Sequence, residues 1–234
     1  MIATIVNAAA IIVGSFLGIL FGGKVRREHM DTIAQGLSIV VLVIGIGPAI
    51  ATNDILAVII CLVIGTILGE FLDIERRLDR LGDALKARFA RKNSGSFTQG
   101  FVTASLLMCI GSMAVMGSLE AGIHQNYSIL FSKSVIDGVM AVTFAAAMGI
   151  GVAFAALPIF VYQGALTLLA SSLAPYLSEA VITEMSAVGG ILLIGTALNM
   201  LEILPKRIRV GNLLPAILLP ILYIPLANWL ASAF

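Results

Sequence analysis

Apolar residues run through this chain in long blocks separated by short polar connections. A bilayer core about 30 Å thick is crossed by roughly 20 residues of helix. Runs of that length lie at 3–23, 34–52, 54–72, 99–119, 135–154, 156–175, 183–203 and 211–232. The pattern predicts an all-α, polytopic transmembrane helix bundle of about eight spans, read as a single transmembrane domain over 1–234. Seven spans is the alternative, because 135–175 carries almost no charge and only Gly149, Gly151 and Pro158 divide it.

The one long polar stretch is 73–98, where Ile74, Leu78, Leu81, Leu85 and Phe89 recur at helical spacing. It predicts a cytoplasmic amphipathic helix between spans three and four, followed by a flexible linker at Asn93–Ser96. A net charge of +3 through Lys92 suits a helix lying on an anionic leaflet. Pairing of its apolar stripe with a second copy, in a homo-oligomer, is the other use.

Charge placement orients the spans. Of 14 Lys and Arg residues, 13 follow spans one, three and seven. Short cytoplasmic connections retain such residues, and eight passes put all three connections on one side, with both termini outside. The first apolar run has no basic residues before it and is read as a retained span, not a signal peptide.

Composition excludes several classes. With 59% hydrophobic and 12% charged residues, and a mean hydropathy of +1.06, the chain is not a soluble globular protein. A net charge of +1 offers no platform for nucleic acid. Cys61 and Cys109 sit in apolar runs, and His29 and His124 fall on opposite sides in this topology. Neither a disulfide framework nor a metal site is expected. There is no phosphate-binding loop, no HExxH and no Ser/His/Asp arrangement, so the expectation is no enzyme and no cofactor.

A shift of 130 residues aligns Ala57–Leu68 (AVIICLVIGTIL) with Ala187–Leu198 (AVGGILLIGTAL), which points to a duplicated scaffold. Glycines at four-residue spacing, Gly14/Gly18/Gly22 and Gly65/Gly69, predict close helix packing. Gly149, Gly151 and the pair Gly189-Gly190 are instead read as potential helix breaks.

Further motifs run along the chain: GTILGE at Gly65–Glu70, GSMAVMGS at Gly111–Ser118, KSVIDG at Lys133–Gly138, Tyr162-Gln163-Gly164, AVGG at Ala187–Gly190, and RVGNLLP at Arg209–Pro215. Together they resemble the bacterial membrane family called domain of unknown function 554, the YqgA-like proteins. The resemblance covers essentially the whole chain. It implies a multi-pass protein of the bacterial inner membrane, of a kind guessed to transport a solute that has no assignment.

Ionisable and amide groups within spans are the candidates for chemistry. Asp137 and Lys133 share a helical face one turn apart, and Glu120 and His124 precede them; the four are read as a cluster at the outer mouth. Ser134 and Asp137 also have capping-box spacing, which would make Asp137 a helix cap. At the inner side, Glu70 precedes a basic connection. Asn7, Gln163 and Asn199 need partners in a dry interior, and Gln163 beside Gly164 is the preferred mid-membrane contact. Asn212 and Pro215, Pro220 and Pro225 predict an irregular last span. Two function classes follow. One is a transporter or channel-like permease for an unidentified small solute or ion. The other is a non-transporting scaffold or accessory subunit that docks a partner through helix 74–89.

Overall fold

The computed structural model describes residues 1–22, 27–89, 97–109 and 112–233, and all regular structure among them is helical. Twelve α-helices follow one another: α1 (Ile2–Gly22), α2 (Arg27–Ile50), α3 (Ile55–Leu72), α4 (Ile74–Phe89), α5 (Phe97–Cys109), α6 (Ser112–Ile123), α7 (Ser128–Met148), α8 (Ala156–Leu168), α9 (Ala170–Leu173), α10 (Glu179–Met200), α11 (Val210–Leu213) and α12 (Pro220–Ala233). The amphipathic segment is helical as expected. The side chains of Leu78, Leu81 and Phe89 and the linker Asn93–Ser96 lie outside the described residues, as do Lys24, Arg26, Arg91 and Lys92 of the basic connections.

Among the described residues five stretches are long and apolar enough to cross a membrane, and up to seven if each of two bent pairs counts as one span. The pairs are Phe97–Cys109 with Met113–Ile123, and Val210–Ile217 with Pro220–Leu230, the latter bent by 45°. The two bent pairs start 113 residues apart, which is not the 130-residue shift of the sequence repeat. The second bend is where Pro215 and Pro220 remove amide donors, as the sequence predicts.

The chain divides into two compact units, Met1–Ile39 with Leu78–Ser172, and Val40–Arg77 with Leu173–Phe234. In the first, α1 packs along α7. A Cβ on Gly14, Gly18 or Gly22 would collide with the carbonyls of Gly138, Val142 and Ala146 respectively. Each four-residue step along α1 meets a four-residue step along α7, so the two run in the same direction, backbone against backbone.

The apolar stretch Ser128–Leu168 turns back on itself. Asp137 and Gln163 both accept hydrogen bonds from the Asn7 amide, whereas 26 residues of straight helix would hold them ~39 Å apart. The reversal begins at Gly149, whose φ of +80° is one that side chains with a Cβ rarely adopt. A 3-10 segment, Gly149–Ala155, carries the chain round. There Gly151 lets the Phe97 backbone approach, and the Phe97 ring lies 5.4 Å from that of Phe154.

Two sequence expectations are corrected. Gly189-Gly190 does not break a helix: α10 is continuous, and Gly190 instead allows the Gly45 carbonyl of α2 to come close. The fifth span begins at Ser128 and not near 135. Lys133 read as a surface charge, but its neutralisation by Asp137 lets that turn enter the apolar interior.

Close packing makes a direct prediction. Gly18→Ala forces α1 and α7 apart and should destabilise the purified protein by about 1–3 kcal/mol. Gly36→Ala, with nothing within 4 Å of the new Cβ, should be neutral or stabilise by up to ~1 kcal/mol. Melting curves of the two variants in detergent test this.

Candidate functional site

The polar residues buried in the first unit converge on Asn7. Its position on α1 follows from packing: Asn7 shares the buried face with Thr4, Ile11, Gly14 and Gly18, so the glycines that draw α1 onto α7 also press the amide into the interior. Asn7 Nδ2 donates to Asp137 Oδ2 at 2.9 Å and to Gln163 Oε1 at 3.2 Å. Lys133 Nζ, one turn before Asp137 on α7, donates to both carboxylate oxygens at 2.8 and 2.7 Å. Asn7 and Gln163 are 0% exposed, Asp137 2% and Lys133 6%.

A lone charge at the centre of a bilayer costs about 2.5–3.5 kcal/mol by insertion, so the Lys133–Asp137 pairing is what makes either residue tolerable there. The capping-box expectation fails. Asp137 lies nine residues beyond the first residue of α7, and Ser134 donates to the Leu130 carbonyl inside the same helix.

The hydrogen-bonding capacity of this cluster is not used up. Asn7 Oδ1 and Gln163 Nε2 are buried without partners, as are the hydroxyls of Thr4 and Thr167. Thr4 lies three residues before Asn7 on α1, and Thr167 four residues after Gln163 on α8, so each shares its neighbour's helical face. Unpaired buried polar atoms are few in native proteins and cost about 1–3 kcal/mol each. Four of the seven such atoms among the described residues lie on the α1 and α8 faces that carry Asn7 and Gln163; the others are the Ser15 and Ser118 hydroxyls and Asn212 Nδ2. A nearby open groove, lined by Ile12, Phe16, Phe154, Leu157 and Phe160, is apolar and offers a polar solute nothing.

The expected outer cluster of four divides in two. Glu120 and His124 pair with each other, Nδ1 to Oε2 at 3.3 Å, with side chains 32% and 64% exposed, while Lys133 and Asp137 turn inward toward Asn7. Asn199 and Glu70 belong to the second unit. The Asn199 side chain donates to the Ile208 carbonyl and accepts from the Ile208 amide, both at 2.8 Å, closing the connection after α10. Glu70 accepts from Arg209 at 3.0 Å. Asn212 accepts from the Glu75 amide at 2.7 Å, and Glu75 accepts from the Gly211 amide, which ties α4 to α11. Among the described residues no group of His, Cys, Asp and Glu is arranged to hold a metal ion.

Glu184 was not anticipated. It is 2% exposed in α10 and accepts from Thr52 Oγ1 at 2.5 Å and from the amides of Asn53 and Asp54 at 2.8 and 3.2 Å. Asp54 in turn caps α3 by accepting from the amides of Leu56 and Ala57. The available signal was an acid inside the seventh apolar run, four residues from the start of Val188–Thr196.

A family model described as a protein of unknown function (DUF554) matches residues 2–224. The chain belongs to the DUF554 family. Among its relatives, the Bacillus subtilis (strain 168) protein named "Uncharacterized membrane protein YdfK" is 32% identical over 224 residues, covering 94% of each chain. The Escherichia coli (strain K12) protein named "Uncharacterized protein YqgA" is 29% identical over 225 residues, again covering 94% of each. No solved structure matches. This DUF554 chain is thus a membrane protein of apolar helices along nearly its whole length.

Glu184→Ala should remove the acceptor that orders the start of α3. We expect a loss of about 1.5–3 kcal/mol and faster hydrogen exchange at the Asn53 and Asp54 amides, measured by mass spectrometry.

Proposed function

We propose that the protein is a transporter or channel-like permease for a small polar solute or ion, with Asn7, Lys133, Asp137 and Gln163 as its binding site. One observation carries this reading: Asn7 Oδ1 and Gln163 Nε2 are fully buried and unpaired beside a neutralised ion pair. A side-chain network that only glued helices would gain by closing those bonds, as Asn199 does. A network that awaits a ligand leaves them open.

The accompanying topology is eight passes in a bacterial inner membrane, with the basic connections cytoplasmic and both termini outside. The fold-back of Ser128–Leu168 and the shared direction of α1 and α7 support it. A fifth pass runs parallel to a first because an odd number of crossings, three, lies between them.

Gln163→Met and Asn7→Leu each remove the open amide. Polar contacts between membrane helices average only ~0.6 kcal/mol, so both variants should fold. In proteoliposomes challenged with inorganic ions, amino acids, organic acids and sugars, the wild type should pass at least one class. The variants should fall to the level of protein-free vesicles, and wild-type flux in both would contradict the site.

A further inference from the structure

The chemistry of the open site narrows the solute. Asp137 is held by both Lys133 contacts and by Asn7 Nδ2. The other groups near it are the Gln163 amide on α8 and the Cys109 thiol on α5, and the Tyr162 phenol lies near that thiol. On α6 the carboxylate of Glu120 is engaged by His124 at the exposed end. Lys133 is therefore the sole cation set against Asp137 among the described residues. The unpaired atoms are mainly donors. Gln163 Nε2 brings N–H groups, the Thr4 and Thr167 hydroxyls bring O–H groups, and an ammonium has a third N–H beyond the two directed at Asp137. Only Asn7 Oδ1 is solely an acceptor.

Resting on the transport reading above, we propose that the site takes up a small monocarboxylate together with one proton. A proton from water adds to an Asp137 oxygen, converting COO⁻ to COOH, and no other covalent bond forms or breaks. The Lys133 ammonium, released from its carboxylate, pairs with the carboxylate of the incoming solute. Gln163 Nε2 and the threonine hydroxyls donate to the same oxygens. The proton goes to Asp137 Oδ1, which among the described residues only Lys133 engages at rest, and the new O–H donates to the bound carboxylate while Oδ2 keeps its bond from Asn7 Nδ2. The site is neutral before and after binding, so no net charge is left in the membrane interior.

The test uses sodium lactate as probe, with sodium chloride and choline chloride as controls, on purified protein across acidic to mildly alkaline pH. A ligand of the folded state raises the melting temperature. Lactate should stabilise the wild type, with an apparent affinity that falls about tenfold per pH unit wherever binding takes up one proton, because proton and anion are linked. Asp137→Asn mimics the protonated carboxyl and should bind lactate at every pH, whereas Lys133→Gln should not bind it. Calorimetry of the wild type in buffers of different ionisation enthalpy needs no variant and should report one proton taken up per lactate. Lactate binding without proton uptake overturns the proposal. Stabilisation by sodium in place of lactate also overturns it but leaves the transport reading standing. Flux of a non-carboxylate solute through a site that ignores lactate does the same. Absence of any solute effect in folded protein overturns both.

Discussion

A polar side chain inside a bilayer has no water to fall back on, and in the first unit a single amide resolves that constraint for three helices. Asn7 of α1 binds Asp137 of α7 and Gln163 of α8 with one nitrogen. It can reach both only because Gly14, Gly18 and Gly22 let α1 lie directly on the α7 backbone, and because the chain reverses at Gly149. The glycine strip, the reversal and the polar cluster are therefore one arrangement. Widening the α1–α7 gap by a methyl group or straightening Ser128–Leu168 would pull the amide from its partners.

The two units meet the same constraint with different outcomes. In the second, Glu184 receives one hydroxyl and two amides, and the Asn199 side chain both gives and takes a hydrogen bond. These residues hold the ends of α3 and α10. In the first, Asn7 and Gln163 are fully buried, yet Asn7 Oδ1 and Gln163 Nε2 remain open. The proposed site is set apart by two open amide atoms beside a buried ion pair, whereas Asn212, a helix tie with one open Nδ2, has no such pair beside it among the described residues.

Much of this was legible in the chain. Helix content follows from apolar run length, and the Gly14/Gly18/Gly22 spacing marked a close helix contact because period four places three missing side chains on one face. Asp137, Asn7 and Gln163 each stood out as polar groups in apolar runs, with Lys133 one turn before Asp137. Their convergence was not readable, since it depends on the direction of α7 against α1 and on where Ser128–Leu168 turns. Lys133 misplaced the start of the fifth span, because a charge read alone signals a surface and only its bond to Asp137 cancels that signal. Glu184 escaped notice for a related reason. Its partners are backbone amides at Asn53 and Asp54, 131 and 130 residues away, and backbone groups leave no trace in residue type.

The account's central claim is that the Asn7–Gln163 cluster is a binding site and not a helix tie. The most direct measurement is a density map of the protein in a lipid bilayer, at a resolution that shows water. The account predicts a bound small molecule or ordered water within hydrogen-bonding distance of both Asn7 Oδ1 and Gln163 Nε2. A dry cluster in which those two atoms bond to each other would contradict it.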